Sequence, residues 1–86
     1  MNNIDHLIKM ANSIGDFFEA LPDRQEALSG IADHLKKFWE PRMRTTMLDF
    51  LTEHPDGRTP ESELSEIVRQ AIIQNREMLT PKAVAG

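Results

Sequence analysis

Residues 3–21 read NIDHLIKMANSIGDFFEAL, and this stretch decides the fold. Its apolar residues recur at alternating spacings of three and four, which puts them in one stripe along an α-helix. The members of this stripe are Ile4, Leu7, Ala11, Ile14, Phe18 and Leu21, and Ile8 and Phe17 widen it. Gly15 lies inside the stripe, although glycine lowers helix propensity by about 1 kcal/mol relative to alanine. The sequence predicts a helix over about residues 3–20, in which Gly15 is either a close backbone contact or a tolerated surface glycine.

A second helix follows a break at Leu21-Pro22-Asp23. Asp23 and Glu26 are spaced as in a capping box, in which the first side chain accepts backbone N–H bonds at the start of a helix. The apolar stripe again repeats by three and four, through Ala27, Leu28, Ile31, Leu35 and Phe38. This pattern predicts a helix that runs to about Phe38 and forms an antiparallel hairpin with the first helix.

Two more helices are predicted beyond the second one. Pro41 suits the first turn of a helix, and apolar residues at helical spacing continue this third helix to about residue 54. After a loop, Thr59-Pro60 has the residue types of an N-cap and a first turn. The fourth helix predicted there extends to Met78 or Leu79.

The fold class that these patterns predict is all-α, with a small bundle of three to four helices. No run alternates between apolar and polar residues as a half-buried strand would. Residues 1–79 are predicted to form a single helical domain. Residues 80–86 contain a proline and small residues without a periodic apolar face, so a flexible C-terminal tail is expected.

Composition excludes several classes of protein. The 86 residues include no cysteine, so disulfides, thiolate metal sites and iron–sulfur ligation are excluded. The net charge of −4 disfavours a nucleic-acid binder, because phosphate recognition needs a positive surface. The sequence has no secretory signal pattern and no stretch of about 20 apolar residues, so we expect a cytoplasmic protein that does not act on a membrane.

No constellation of residues predicts catalysis, a metal site or a bound cofactor. His6, His34 and His54 fall on three different predicted helices, and none has a second histidine at the i, i+4 spacing of a helical metal site. Asp33 and His34 are adjacent on a helix and point about 100° apart, so they do not form an acid–base pair. The chain by itself is therefore not expected to be an enzyme.

The strongest functional signal is the corner around Trp39, the single tryptophan. Aromatic and sulfur-containing residues are interleaved there with basic ones: Lys36, Lys37, Phe38, Trp39, Arg42, Met43 and Arg44. Tryptophan and arginine are enriched at the energetic hot spots of protein interfaces. A nucleic-acid patch has similar residue types, but the overall acidity argues against one. Phe38 is expected to close the core at the helix junction, whereas Trp39 is open to either a core position or a partner contact.

Seven short motifs are distinctive in combination: Asn3–Asn12, Ile14-Gly15, Phe17-Phe18, Gly30–Ala32, His34-Leu35, Phe38-Trp39 and Pro41–Arg44. Together they resemble the delta subunit family of soluble NAD-dependent, molybdenum-containing formate dehydrogenases. The resemblance covers roughly the first 55 residues, and residues beyond Gly57 add nothing to it.

The resemblance implies a non-catalytic accessory subunit of a cytoplasmic complex that oxidises formate and passes electrons to NAD. It implies that molybdopterin, iron–sulfur clusters and FMN are held by partner subunits, with no cofactor in this chain. It also implies that the chain binds the molybdopterin-containing alpha subunit to aid assembly, cofactor insertion or stability.

The residues expected at the partner surface are a basic corner and nearby apolar side chains: Trp39, Arg42, Arg44, Phe17, Met43 and Met47. Their apolar members belong to stripes that are wider than a small core needs. Such stripes serve a self-interface equally well. An unrelated helical adapter or a homo-oligomer is therefore the alternative.

Overall fold

The computed structural model describes residues 3–81 and contains five helices within them. In chain order these are α1 (Asn3–Phe18), α2 (Arg24–Phe38), α3 (Pro41–Glu53), α4 (Glu66–Gln74) and α5 (Arg76–Leu79). The described part has no β-strand, and an isolated antiparallel bridge between Arg58 and Glu63 is its only β-type pairing. The prediction of an all-α fold is confirmed. Most of the predicted tail, residues 82–86, lies outside the described residues, so its flexibility stays a prediction.

The first two helices form the predicted hairpin. Asp23 is the N-cap of α2, and its Oδ1 accepts hydrogen bonds from the backbone N–H groups of Gln25 (2.9 Å) and Glu26 (3.3 Å). The predicted start of the second helix is therefore confirmed. Gly15 is buried, and a Cβ atom at this position would overlap Cγ2 of Val68 on α4. The missing side chain of Gly15 thus allows α1 and α4 to approach closely.

The core lies around α2, which packs against α1, α4 and α5, while α1 also packs against α3 and α4. The largest fully buried side chains come from all five helices: Ile8, Leu28, Ile31, Leu35, Met47, Val68, Ile72 and Leu79. All of them occupy positions of the apolar stripes, because an amphipathic helix buries its apolar face to form the core. None of the described helices is long and apolar enough to cross a membrane.

The predicted start of the fourth helix is wrong. Thr59-Pro60 forms a turn, and α4 begins at Glu66. Thr59 Oγ1 accepts hydrogen bonds from the backbone N–H groups of Glu61 (3.1 Å) and Ser62 (2.9 Å), and it also donates one to Asp5 Oδ1 on α1 (2.6 Å). A threonine at an N-cap and a threonine in such a turn make the same local hydrogen bonds, so the residue types alone do not distinguish them.

Asn12 of α1 fixes the segment that leads into α4. Its Nδ2 donates to the carbonyl of Glu63 (2.9 Å), and its Oδ1 accepts from the backbone N–H of Ser65 (2.8 Å). Ser65 is the N-cap of α4 but makes no side-chain capping bond. A side chain from a different helix therefore supplies the acceptor at the start of α4.

The C-terminal part of the predicted fourth helix is a separate short helix. The chain leaves α4 at Asn75, and α5 follows with Leu79 buried in the core. Three cations hold this segment against α2 and α3: Lys36 Nζ donates to the Met78 carbonyl (3.4 Å), Arg44 Nη1 to the Leu79 carbonyl (3.1 Å) and Arg76 Nη2 to the Leu48 carbonyl (3.2 Å). Lys36 and Arg44 thereby bond carbonyl groups at the C-terminal end of α5, where cations are favourable because the last carbonyls of a helix are free.

Candidate protein-protein interface

At the corner between α2 and α3, Phe38 does not take the core position predicted for it, and Trp39, for which a core position or a partner contact was open, lies in the core. Trp39 is only 5% exposed, whereas Phe38 is 70% exposed, so the prediction that Phe38 closes the core is wrong. Trp39 is the C-cap of α2 and has an extended backbone, with φ −85° and ψ 136°. The chain turns away from the helix axis at this residue, and the indole enters the core beside Leu35, Met47, Leu48, Ile72 and Leu79.

The two arginines of the basic corner have different surroundings. Arg42 is exposed, and its guanidinium has no hydrogen bond or ion pair with any described residue. Arg44 is half-buried, its Nη1 bonds the Leu79 carbonyl, and its Nε is buried without a hydrogen-bond partner. Arg44 therefore ties α5 to α3, and Arg42 is free to meet another molecule.

The predicted apolar contacts also divide between core and surface. Phe17 is 73% exposed, Met43 is half-buried against the core, and Met47 is fully buried. The structure thus brings Phe17, Arg42 and Met43 to the surface, and it places Trp39 and Met47 inside. Partner binding by the predicted contact residues stays a prediction. Trp39 and Met47 could contact a partner only if the core opened.

A row of rings runs across the surface of α1 and α2, and we call it the aromatic face: Phe17, Phe18, His34 and Phe38. Ring centroids are separated by 5.2 Å between Phe17 and Phe18, by 6.4 Å between Phe18 and His34, and by 4.6 Å between His34 and Phe38. Phe17 and Phe38 at the two ends are the most exposed large apolar side chains among residues 3–81. Single exposed apolar residues are ordinary, whereas a contiguous exposed group is a candidate binding surface.

Sequence reasoning missed most of the aromatic face. The sequence pattern predicts Phe38 in the core, and it does not indicate Phe18 or His34 as contacts. The available signal was the i, i+4 spacing of His34 and Phe38, which puts the two rings on the same face of α2. The neighbouring position of Phe18 on α1 depends on how the two helices pack, and a linear pattern does not contain that information.

A second surface feature is a groove between α1 and α3. Its lining consists of His6, Leu7 and Met10 from α1 and Arg42, Met43 and Thr46 from α3. Leu7 is buried, while Met10 and Met43 are half-buried, so the floor is apolar and the edges carry His6 and Arg42. Methionine side chains adapt their shape readily to a partner.

A third depression lies beside the start of α4 and is polar. Four of its five charged side chains form ion pairs, since Arg58 Nε lies 3.7 Å from Glu63 Oε2 and Arg69 Nη2 lies 2.8 Å from Glu66 Oε2. Among residues 3–81 no group of three or more histidine and carboxylate side chains is arranged to hold a metal ion.

Comparison with known proteins gives one family. The model of the family described as NADH-dependent formate dehydrogenase delta subunit FdsD matches residues 6–72. No curated protein and no solved structure matches the chain. The matched range includes most of α1, all of α2 and α3, and α4 as far as Ile72, so it contains the aromatic face and the groove and stops before α5.

Proposed function

The chain belongs to the family of NADH-dependent formate dehydrogenase delta subunits, and from this we propose that it is a non-catalytic subunit that binds the molybdopterin-containing alpha subunit of such a complex. Its task is to aid assembly, cofactor insertion or stability of that complex in the cytoplasm. The molybdopterin, the iron–sulfur clusters and the FMN belong to the partner subunits in this proposal. The chain itself contributes a binding surface.

The aromatic face carries this proposal. Phe17 and Phe38 are 73% and 70% exposed, and water contact of this extent is unfavourable for side chains that lie in a contiguous apolar group. Burying a phenylalanine side chain fully is worth about 1.5 to 3 kcal/mol. Two such residues at the ends of one face can therefore act as hot spots for a partner.

The surroundings of the face favour a rigid contact. Phe18 is half-buried and packs edge-on against Phe17, and a Cβ atom at Gly30 of α2 would overlap the Phe18 ring. Gly30 therefore provides the space in which Phe18 lies between the two helices. Because α1 and α2 form a packed hairpin, the rings are held in place before any partner arrives, and this preorganisation lowers the entropic cost of binding.

The test is co-purification of the tagged full chain with the other subunits of its formate dehydrogenase. The variant is the double substitution Phe17→Ala, Phe38→Ala, which removes two exposed rings and should leave the fold intact. Ile73→Ala is the matched control, because Ile73 is an apolar residue of α4 that is 45% exposed and lies outside the aromatic face. Circular dichroism and thermal melting check that both variants fold.

We expect the wild type and the Ile73→Ala control to retain the alpha subunit. The amount of alpha subunit that the double variant retains should fall about tenfold or more, because the loss of one hot-spot residue costs at least about 2 kcal/mol of binding free energy. Equal retention by all three proteins would show that the interface with the alpha subunit lies outside the aromatic face. If the wild type retains no alpha subunit and elutes as a dimer that the double variant abolishes, the face binds a second copy and the proposal fails.

A further measurement separates the roles within the proposal. The alpha subunit is purified from cells with and without the chain, and its molybdenum content and half-life at a fixed temperature are measured. A role in cofactor insertion predicts a low molybdenum content without the chain. A role in stability predicts a normal content and a shorter half-life.

A further inference from the structure

Arg42 differs from every other arginine of the chain. Four of the remaining five guanidinium groups hydrogen-bond a described residue, and the fifth forms an ion pair. Arg24 bonds Gln70, Arg44 the Leu79 carbonyl, Arg69 Glu66, and Arg76 the Leu48 carbonyl and Thr52, while Arg58 Nε lies 3.7 Å from Glu63. Arg42 alone has no such partner within residues 3–81, all six arginines being inside this range. An unpaired guanidinium on an exposed helix start is available for a carboxylate, which it can bind with two parallel hydrogen bonds.

The position of Arg42 gives it a specific apolar neighbour. The groove between α1 and α3 has Leu7, Met10 and Met43 in its floor and Arg42 at its edge. None of the residues that line it is acidic, although Asp and Glu outnumber Lys and Arg by 14 to 10 in the chain. Among the lining residues, His6 and Thr46 add polar groups beside the apolar floor.

We propose that this groove binds a segment of a formate dehydrogenase partner subunit in which an apolar side chain lies next to an Asp or Glu residue. The apolar side chain packs on Met10 and Met43, and the carboxylate accepts hydrogen bonds from the Arg42 guanidinium. This inference rests on the proposed function and adds a second contact with a stated chemistry. It is independent of the aromatic face, which has no unpaired arginine.

Charge makes this contact selective. The chain as a whole repels an acidic partner segment because its net charge is −4. Attraction is strongest where a cation lacks an intramolecular partner, and Arg42 is such a cation beside an apolar floor. Opposite charges across an interface fix the register of the partner and suppress wrong partners more than they raise affinity.

The first experiment exchanges charge at Arg42 in the full chain, co-expressed with the other subunits. Arg42→Lys keeps the positive charge and Arg42→Glu reverses it. Arg24→Glu is the control, because it changes the charge equally at the exposed start of α2, outside the groove. At low salt Arg42→Glu should reduce retention of the complex about tenfold or more, because like charges in an interface cost several kcal/mol. Arg24→Glu should change it by less than about twofold.

The second experiment identifies the partner group. In the Arg42→Lys variant the new lysine amine can be joined to a carboxylate in contact with it by a water-soluble carbodiimide, which forms an amide bond and takes up the released water. Mass spectrometry of the treated complex should then find residue 42 linked to an Asp or Glu of another subunit that has an apolar residue next to it. The Arg24→Lys variant should give no link to that carboxylate.

The outcomes distinguish this inference from the proposed function. If Arg42→Glu retains the complex as well as wild type and residue 42 forms no link, the groove is unoccupied and the inference is wrong, while the alpha-subunit proposal stands on the aromatic face. A link to a second copy of this chain would also overturn the inference, because the occupant would then be the chain itself. If wild type retains no other subunit at all, the proposed function and the inference both fail.

Discussion

Phe38 and Trp39 are consecutive residues, yet the first is 70% exposed and the second is 5% exposed. The side chains of adjacent residues at a helix end point in different directions, about 100° apart. The indole is inside because α2 ends at Phe38 and the extended backbone of Trp39 directs its side chain toward α3 and α5. A substitution at Trp39 should therefore lower the stability of the fold, whereas a substitution at Phe38 should alter the exposed surface and leave the stability nearly unchanged.

The pair gives a direct prediction about stability. Trp39→Ala should lower the free energy of unfolding by about 3 to 5 kcal/mol, because it leaves a large cavity in the core. Phe38→Ala should change it by less than about 0.5 kcal/mol, as is usual for an exposed position. Urea unfolding followed by far-ultraviolet circular dichroism measures both values.

Trp39→Phe serves as the milder variant, because a domain of this size has a total stability of only about 4 to 13 kcal/mol and the alanine variant can unfold completely. Similar unfolding free energies for the Trp39→Ala and Phe38→Ala variants would contradict the buried position of the indole.

The second prediction concerns α5, which lies beyond the family match. Leu79 is buried beside Trp39, so Leu79→Ala should destabilise the chain by about 2 to 5 kcal/mol. The cavity also admits water to the indole, and the emission of this single tryptophan should shift to longer wavelength in the folded variant. Denaturant unfolding and the fluorescence spectrum are the two measurements.

Thr80→Ala is the control for α5. Thr80 is the next residue, is exposed and makes a hydrogen bond to the Arg76 carbonyl (2.8 Å), so its loss should cost about 1 kcal/mol or less and leave the emission unchanged. If Leu79→Ala behaves like Thr80→Ala, α5 does not form part of the core.

The third prediction contrasts two glycines of helices. Alanine improves helix propensity at either position by about 1 kcal/mol. At Gly15 the added methyl group overlaps buried Val68 between packed helices, and such overpacking costs about 1 to 3 kcal/mol. At Gly30 it overlaps the ring of half-buried Phe18, which can move outward.

Gly15→Ala should therefore lower the stability of the fold. Gly30→Ala should leave the stability nearly unchanged. It should instead weaken retention of the alpha subunit, because it displaces Phe18 on the aromatic face. Thermal unfolding and the co-purification assay report the two effects separately. Stabilisation by Gly15→Ala of the size expected from propensity would show that α1 and α4 are not in close contact at this point.

Local sequence signals predicted much of the helical framework. The apolar spacing and the Asp23 cap defined α2 well, and Pro41 marked the start of α3, because these signals act within a few residues along the chain. The start of α4 differs from the prediction, since Thr59 makes turn hydrogen bonds and the N-cap residue Ser65 donates its backbone N–H to Asn12, 53 residues away. A side chain that acts across such a separation leaves no local pattern.

The sequence by itself determined the all-α class, the first three helices and the absence of cysteine chemistry, because composition and periodicity are properties of the linear chain. Its short motifs also resemble the family whose model matches the chain. Only the tertiary structure decided which members of the wide apolar stripes are buried. It placed Trp39 and Met47 in the core, turned Phe38 outward next to His34 and Phe18, and left Arg42 unpaired while Arg44 bonds the end of α5. The physical reason is that an apolar stripe specifies one face of a helix, whereas the burial of each side chain on that face depends on the helices that pack against it.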